Sequence, residues 1–272
     1  MNARQTMVFG DNAGDYRAFR PHYPDALFAW LASVARQNRL AWDCGAGSGQ
    51  AALGLSRHFT RVLATDPDPR QLALAPKEPN VDYRLARAED DLGLRAEVDL
   101  IACACSIHWF DLPKFYANAR RALRPEGIIA AWTYDWPCTG VASIDAILRR
   151  LKEDILGPFW AENSALYFDR YETLPFPFKE IDCPPFHTPV ARSKSEFVSF
   201  LKTWSAVEKY RLHYGGDPLA LVDRELEEAW SAHPPDLPLC VPLYMRCGVN
   251  TVNLRIGGER CAPILCVARR FP

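Results

Sequence analysis

The run Trp42-Asp43-Cys44-Gly45-Ala46-Gly47-Ser48-Gly49-Gln50 places three glycines at alternate positions behind a short apolar segment. Glycine permits positive φ and lets the backbone approach a ligand closely. The amphipathic stretch that follows, Ala51 to Leu55, would offer free N–H groups and a positive dipole end. A second apolar run, Arg61 to Asp66, ends in a carboxylate nineteen residues beyond Gly47. An acid at that place can accept both hydroxyls of a ribose, so the two features together point to an adenosyl ligand. The plainer readings are a bare strand-to-helix turn for the glycines and a helix cap for Asp66 ahead of Pro67-Asp68-Pro69. Glycine order also separates the candidate cofactors. A dinucleotide turn reads G-x-G-x-x-G, whereas position 50 here is Gln50 and Gly54 lies too far along to replace the last glycine. S-adenosylmethionine has no pyrophosphate to cradle, and it suits this turn better than NAD.

A second string able to do chemistry is Ser106-Ile107-His108-Trp109-Phe110-Asp111. A neutral His108 could take a proton from a hydroxyl or amine, and a protonated one could hold a carboxylate. The bland alternative is a histidine bonded to a nearby loop, with Trp109 packing on the core. His187, His213 and His233 lack metal-ligand spacing, so no metal site is expected. The nine cysteines are odd in number and form no Cys-x-x-Cys, which suggests reduced packing residues. Cys103 and Cys105 alternate along an apparent strand and should point to one face. Arg149, Arg150 and Lys152 read as a solvated helix face.

Composition limits the partners. Lys plus Arg total 32 against 33 Asp plus Glu, so nothing draws the chain to a phosphate backbone or an anionic leaflet. With 49% hydrophobic and 24% charged residues the chain should fold. The opening residues lack the apolar core of a secretory signal and no run of about 18 apolar residues occurs, so a cytoplasmic protein with a small-molecule substrate is expected, as monomer or homodimer, with no nucleic acid and no membrane.

Elements that could position these groups alternate along the first half of the chain. Apolar runs at Leu40–Cys44, Val62–Asp66, Val81–Leu85, Val98–Ala104 and Ile128–Trp132 read as strands. Helical spacing falls at Pro24–Ala35, Gly49–His58, Pro69–Ala75 and Leu112–Leu123. Strands separated by helices imply right-handed crossovers and a parallel sheet. Residues 135–235 are rich in prolines and aromatics, with helices expected at Val141–Ile155, Lys194–Lys209 and Pro218–Trp230. Leu239–Arg246 and Ala262–Arg270 read as a closing antiparallel hairpin, and the middle segment as a cap over the strand ends that selects the substrate.

The glycine turn, Tyr16-x-x-x-Arg20-Pro21-x-Tyr23-Pro24, Ala88-Glu89-Asp90, the His-Trp-Phe-Asp string and Thr203-Trp204-Ser205-Ala206 together resemble the class I S-adenosylmethionine-dependent methyltransferases. Within that family the resemblance is to the small-molecule group that includes the trans-aconitate methyltransferases. It implies an α/β fold: a doubly wound, mostly parallel seven-stranded sheet with a C-terminal antiparallel hairpin and a helical cap insertion. The expected division is 1–38 as cofactor cover and first helix, 39–134 plus 236–272 as methyltransferase core, and 135–235 as cap. The resemblance further implies that Gly45, Ala46, Gly47 and Gln50 pass the methionine end of S-adenosylmethionine, with Asp43 orienting the turn. Asp66 would hold the ribose, and Ala88 and Glu89 would lie against the adenine. Ser106 and Trp109, with Tyr16 and Tyr23 as a cover, would complete the cofactor site. Phe19, Trp136 and Trp204 would meet the substrate, and His108 would be catalytic. Glu89 could equally be a solvated first-turn residue, and Tyr16, Phe19 and Tyr23 plain packing aromatics. The activity implied is methyl transfer to a small acceptor, an oxygen (a carboxylate included) favoured over nitrogen. An NAD-dependent oxidoreductase and a non-catalytic cofactor-binding protein on the same fold are the alternatives.

Overall fold

The computed structural model describes residues 22–134 and 136–251, with the backbone alone for residues 189–192 and 240. Tyr16, Phe19 and the run Ala262–Arg270 lie outside the described residues. The first half alternates as expected: α1 (Asp25–Val34), β1 (Leu40–Cys44), α2 (Gln50–Ser56), β2 (Arg61–Asp66), α3 (Pro69–Ala73), β3 (Val81–Leu85), β4 (Val98–Ala104), α4 (Leu112–Ala122) and β5 (Leu123–Tyr134). These strands form a parallel array ordered β3-β2-β1-β4-β5. Successive strands run outward from β1 on one side and from β4 on the other. A crevice therefore opens at their carboxyl ends, where ligands of doubly wound sheets bind.

Both faces of β1, β2, β4 and β5 are covered, which is why those strands read as apolar runs, whereas the edge strand β3 buries only Val81 and Tyr83 in part. Alternate residues of β4 serve opposite cores. Leu100 and Ala102 pack with Leu27, Leu31 and Leu55 of α1 and α2, while Ile101 and Cys103 pack with Phe115 and Ala119 of α4.

The second half contains α5 (Ala142–Arg150), a π-helical turn at Leu151–Ile155, α6 (Ser164–Phe168), β6 (Lys179–Glu180), β7 (Phe186–Ser193), α7 (Lys194–Lys202), α8 (Ser205–Tyr214), α9 (Asp223–Ser231) and β8 (Asp236–Val249). Among the described residues the sheet has eight strands, where seven are expected. The extra pairing comes from the middle segment. β8 runs antiparallel to β5 from Leu243 to Val249 and antiparallel to β7 from Asp236 to Leu243, with β6 on its outer edge. The antiparallel partners of β8 among the described residues are thus β5, β6 and β7. The helices expected at Lys194–Lys209 and Pro218–Trp230 are each interrupted, at Thr203–Trp204 and at Val222. The middle segment has an apolar cluster of its own, with Ile144, Leu148, Phe197, Leu201, Leu226 and Trp230 at its centre.

No helix among the described residues is long and apolar enough to cross a membrane. No disulfide joins the described cysteines Cys44, Cys103, Cys105, Cys138, Cys183 and Cys247.

Candidate active site

The glycine turn leaves the end of β1 and is tied to β2, because the N–H groups of Gly45 and Ala46 both donate to the Thr65 carbonyl at 2.8 and 2.9 Å. Gly45, Gly47 and Gly49 all have positive φ, at 75°, 54° and 81°. Gly45 is also sterically required: a Cβ there would lie 2.5 Å from Ser106 Cβ. Ser106 in turn donates from Oγ to the Cys44 carbonyl at 2.8 Å, joining the ends of β1 and β4.

Around this turn opens a cleft of about 1000 Å³ measured to its mouth, within the range of small-ligand pockets. Ten of the residues expected at the cofactor line it: Tyr23, Gly45, Ala46, Gly47, Gln50, Asp66, Ala88, Glu89, Ser106 and Trp109. Asp43 does not reach the wall. It is fully buried beneath the turn, neither carboxylate oxygen has a hydrogen-bond partner of full geometry, and burial pushes its pKa up to about 7. The nearby Ala52 N–H offsets part of that effect, and the Asp66 charge adds to it.

Asp66 faces the cleft with both oxygens already used once. Oδ2 accepts the Gly47 N–H and Oδ1 accepts the Asp68 N–H. Helix capping therefore falls to Asp68, which accepts the Arg70 N–H at the start of α3. Burial raises the pKa of Asp66 despite these bonds. Glu89 is not a solvated residue. Its Oε1 accepts the Asp111 N–H at 2.8 Å, which fixes the loop after β3 against the start of α4, and Asn118 holds the same loop by donating to the carbonyls of Ala88 and Asp90. Spacing gives no hint of Asn118.

The chemistry of the cleft suits S-adenosylmethionine. The buried Ser48 Oγ and Gln50 Nε2 have no hydrogen-bond partner among the described residues and sit beside the helix N-terminus, where the amino-acid end of such a cofactor would need polar groups. Asp66 and Glu89 give the cleft two carboxylates able to accept hydrogen bonds from a ligand.

Cys105 breaks the expected alternation. β4 ends at Ala104, Cys105 adopts φ 51°, and its side chain turns into the cleft instead of joining Cys103 in the core. Non-glycine residues held at positive φ gather at functional sites. With Trp109, Cys105 also lines a second cavity, about 540 Å³ to its mouth. His108, Trp136 and Trp204, the other expected substrate-facing residues described, line this one, together with Trp160, Tyr167 and Phe168. Sequence spacing marks none of these last three. The rings interlock: Trp136 stands edge-on to Trp204 at 4.5 Å and to Trp160 at 5.5 Å, and the ammonium of Lys152 lies 4.2 Å over Trp136. That contact gives Lys152 a place the sequence reading of a solvated face did not foresee. None of the described residues lining this cavity carries a charge at neutral pH.

His108 Nδ1 lies 2.8 Å from Tyr171 Oη, and its backbone carbonyl accepts from Asn163. Burial pushes its pKa down to about 3, so at pH 7 it is neutral and cannot hold a carboxylate by charge. No cluster of His, Cys, Asp and Glu suited to a metal occurs among the described residues.

A methyltransferase-domain profile matches residues 42–131, the segment that builds the glycine turn, Asp66 and the His108 loop. A protein named as a methyltransferase in Dictyostelium discoideum is 30% identical over 87% of this chain and 92% of its own length. A protein named as an S-adenosylmethionine-dependent methyltransferase in Saccharomyces cerevisiae is 31% identical over 45% of each chain. The solved structure of a type II methyltransferase from Anaeromyxobacter dehalogenans superposes with a TM-score of 0.78 at 41% identity, covering 86% of this chain and 99% of that one. These relatives do not single out the trans-aconitate group. The chain belongs to the class I S-adenosylmethionine-dependent methyltransferases.

Proposed function

We propose that this enzyme carries the methyl group of S-adenosylmethionine from the glycine-lined cleft to a small acceptor seated in the adjoining aromatic cavity. The observation that carries the reading is the shared wall: Cys105 and Trp109 line both spaces, so donor and acceptor would meet across them. When bound, the cofactor supplies an electrophilic methyl group on a sulfonium, and transfer is an in-line displacement in which sulfur keeps the electron pair. The protein's task is then chiefly to align the two partners in a dry site.

In this reading Gly45, Ala46, Gly47 and Gln50 take the methionine end, Asp66 the ribose, and Ala88 and Glu89 the adenine. Tyr23, Ser106 and Trp109 close the site, and Asp43 supports the turn from below. Segment 135–235 acts as the substrate cap through Trp136 and Trp204, and His108 faces the acceptor. The favoured acceptor atom is oxygen, a carboxylate oxygen included, on a molecule whose flat apolar body suits stacked rings. A lining without cations speaks against acids bearing several carboxylates. The net charge of −1 fits a small acceptor better than a nucleic acid.

Two measurements test this. Titration calorimetry should detect S-adenosylhomocysteine and give a weaker response or none with NADH. Mass spectrometry should then detect S-adenosylhomocysteine formed from the methyl donor with at least one of a panel of aryl and alkyl carboxylates, phenols and amines. Absence of heat with S-adenosylhomocysteine removes the cofactor assignment, and binding without turnover on any acceptor removes the catalytic one.

A further inference from the structure

The geometry assigns His108 the part of a fixed hydrogen-bond donor to the acceptor, with Nε2 carrying the proton and Tyr171 as the positioning residue that sets this tautomer. The tautomer is read from the fold alone. The consequence for the substrate rests on the aromatic cavity being the acceptor site.

The argument begins with a buried phenol. Tyr171 is fully buried, at 0% exposure, and burial holds its pKa well above the ordinary value, so it keeps its hydrogen. A buried O–H without an acceptor costs about 1–3 kcal/mol. Tyr171 Oη has one acceptor within bonding distance among the described residues, His108 Nδ1 at 2.8 Å. Thr133 also approaches the phenol but makes no hydrogen bond of full geometry to it. The one contact of full hydrogen-bond geometry open to the phenolic hydrogen among the described residues is therefore His108 Nδ1. Nδ1 therefore accepts, and a neutral imidazole whose Nδ1 is bare carries its hydrogen on Nε2.

The backbone fixes both partners. Arg170 and Tyr171 sit at φ 60° and 64°, and the Arg246 guanidinium donates to the carbonyls of Tyr171 and Leu174 at 3.1 and 2.9 Å while pairing with Glu180. On the other side Asn163 pins the His108 carbonyl at 2.8 Å. Nε2 makes no hydrogen bond to any described residue, and the ring faces the aromatic cavity. The titratable groups around the pair are Tyr167, 5.9 Å from the imidazole, and the thiols of Cys103 and Cys105 near the phenol, none ordinarily charged at pH 7.

A donor at Nε2 constrains the substrate. It can hold one lone pair of a carboxylate or carbonyl oxygen and leave another free to attack the methyl carbon, but it cannot remove a proton from an alcohol. The nucleophile must arrive with no proton to surrender to His108, which aligns it.

The test is the nitrogen-15 spectrum of the full chain labelled at histidine, with His108 identified by the signals lost in His108→Asn. The expected result is Nδ1 in the range of a bare nitrogen and Nε2 in the range of N–H, unchanged from pH 8 to about pH 5. Tyr171→Phe should shift His108 toward a mixture of tautomers. A proton on Nδ1, or titration of His108 near an ordinary histidine pKa, would overturn the assignment. An unchanged tautomer in Tyr171→Phe would remove Tyr171 from its role, and if that variant does not fold the wild-type spectrum still decides the tautomer. Adding S-adenosylhomocysteine to the same sample keeps the two questions apart. If no resonance moves, the cofactor reading fails while the tautomer stands.

Discussion

Asp66 Oδ2 accepts the Gly47 N–H at 2.9 Å, so the acid that ends the second strand also holds the bend that follows the first. Each of its oxygens keeps a lone pair toward the cleft, and removing the side chain should cost both the ribose contacts and the tether. Asp66→Ala is expected to weaken S-adenosylhomocysteine binding by about 1.5–3 kcal/mol. Asp66→Asn, which retains one acceptor for Gly47, should lose less. Calorimetry measures both, and unaltered affinity in the alanine variant would contradict the ribose role.

Gly45→Ala combines a left-handed backbone with a Cβ placed 2.5 Å from Ser106 Cβ. The expected loss of stability is roughly 2–4 kcal/mol, from the conformational penalty plus overpacking. Gly140→Ala is the control. Its φ is 71° but nothing lies within 4 Å of the added atom, so only the conformational part should appear. Equal urea midpoints for the two variants would mean that Ser106 yields without cost.

The pH response of the cofactor-free protein should carry the signature of Asp43. Its folded pKa of about 7 exceeds the ordinary 3.8, so between those values the native state holds the proton more tightly than the unfolded chain. Stability contributed by this group is present below about pH 4 and is lost as pH rises through 7, by an amount on the order of 2–4 kcal/mol. Asp43→Asn should flatten the fall in melting temperature across that window. A parallel fall in both proteins would show that Asp43 is ionised and satisfied by other means.

Trp136 and Trp204 meet edge to face in the second cavity and line none of the first. Trp136→Leu should therefore raise the acceptor KM by about tenfold, from lost ring contact of about 0.5–1.5 kcal/mol together with lost apolar burial. The dissociation constant of S-adenosylhomocysteine should stay within twofold. A cofactor constant that moves with the acceptor KM would argue against separate seats.

The parts of this molecule legible in its sequence are those with one dominant cause. β1 and β4 coincide with the apolar runs, because a strand under helices on both sides needs little else, and β3 follows the alternation of the partly buried Val81 and Tyr83 at the sheet edge. The glycine turn and Asp66 are legible because positive φ and a terminal acid restrict residue type. β7 was hidden by Pro189, which reads against a strand unless the strand lies on an edge, as this one does. The single helix expected over Lys194–Lys209 fails at Trp204, where an extended residue turns its indole into the second cavity. Trp160 follows a short turn, Tyr167 lies in α6 and Tyr171 in the turn after it, and no spacing along the chain could announce them. Cys105 was misplaced because strand alternation was carried one residue past the point where β4 ends.

β8 is one unbroken strand serving two structures: its later half completes the sheet beside β5 and its earlier half pairs with β7. Side chains of a strand alternate, so inserting or deleting a single residue near Leu243 would invert inside and outside in one half relative to the other. Variation in length should accordingly be tolerated at the exposed Gly215-Gly216 turn after α8 and refused along β8. That makes residues 236–249 the fixed ruler against which new acceptor pockets could be grafted.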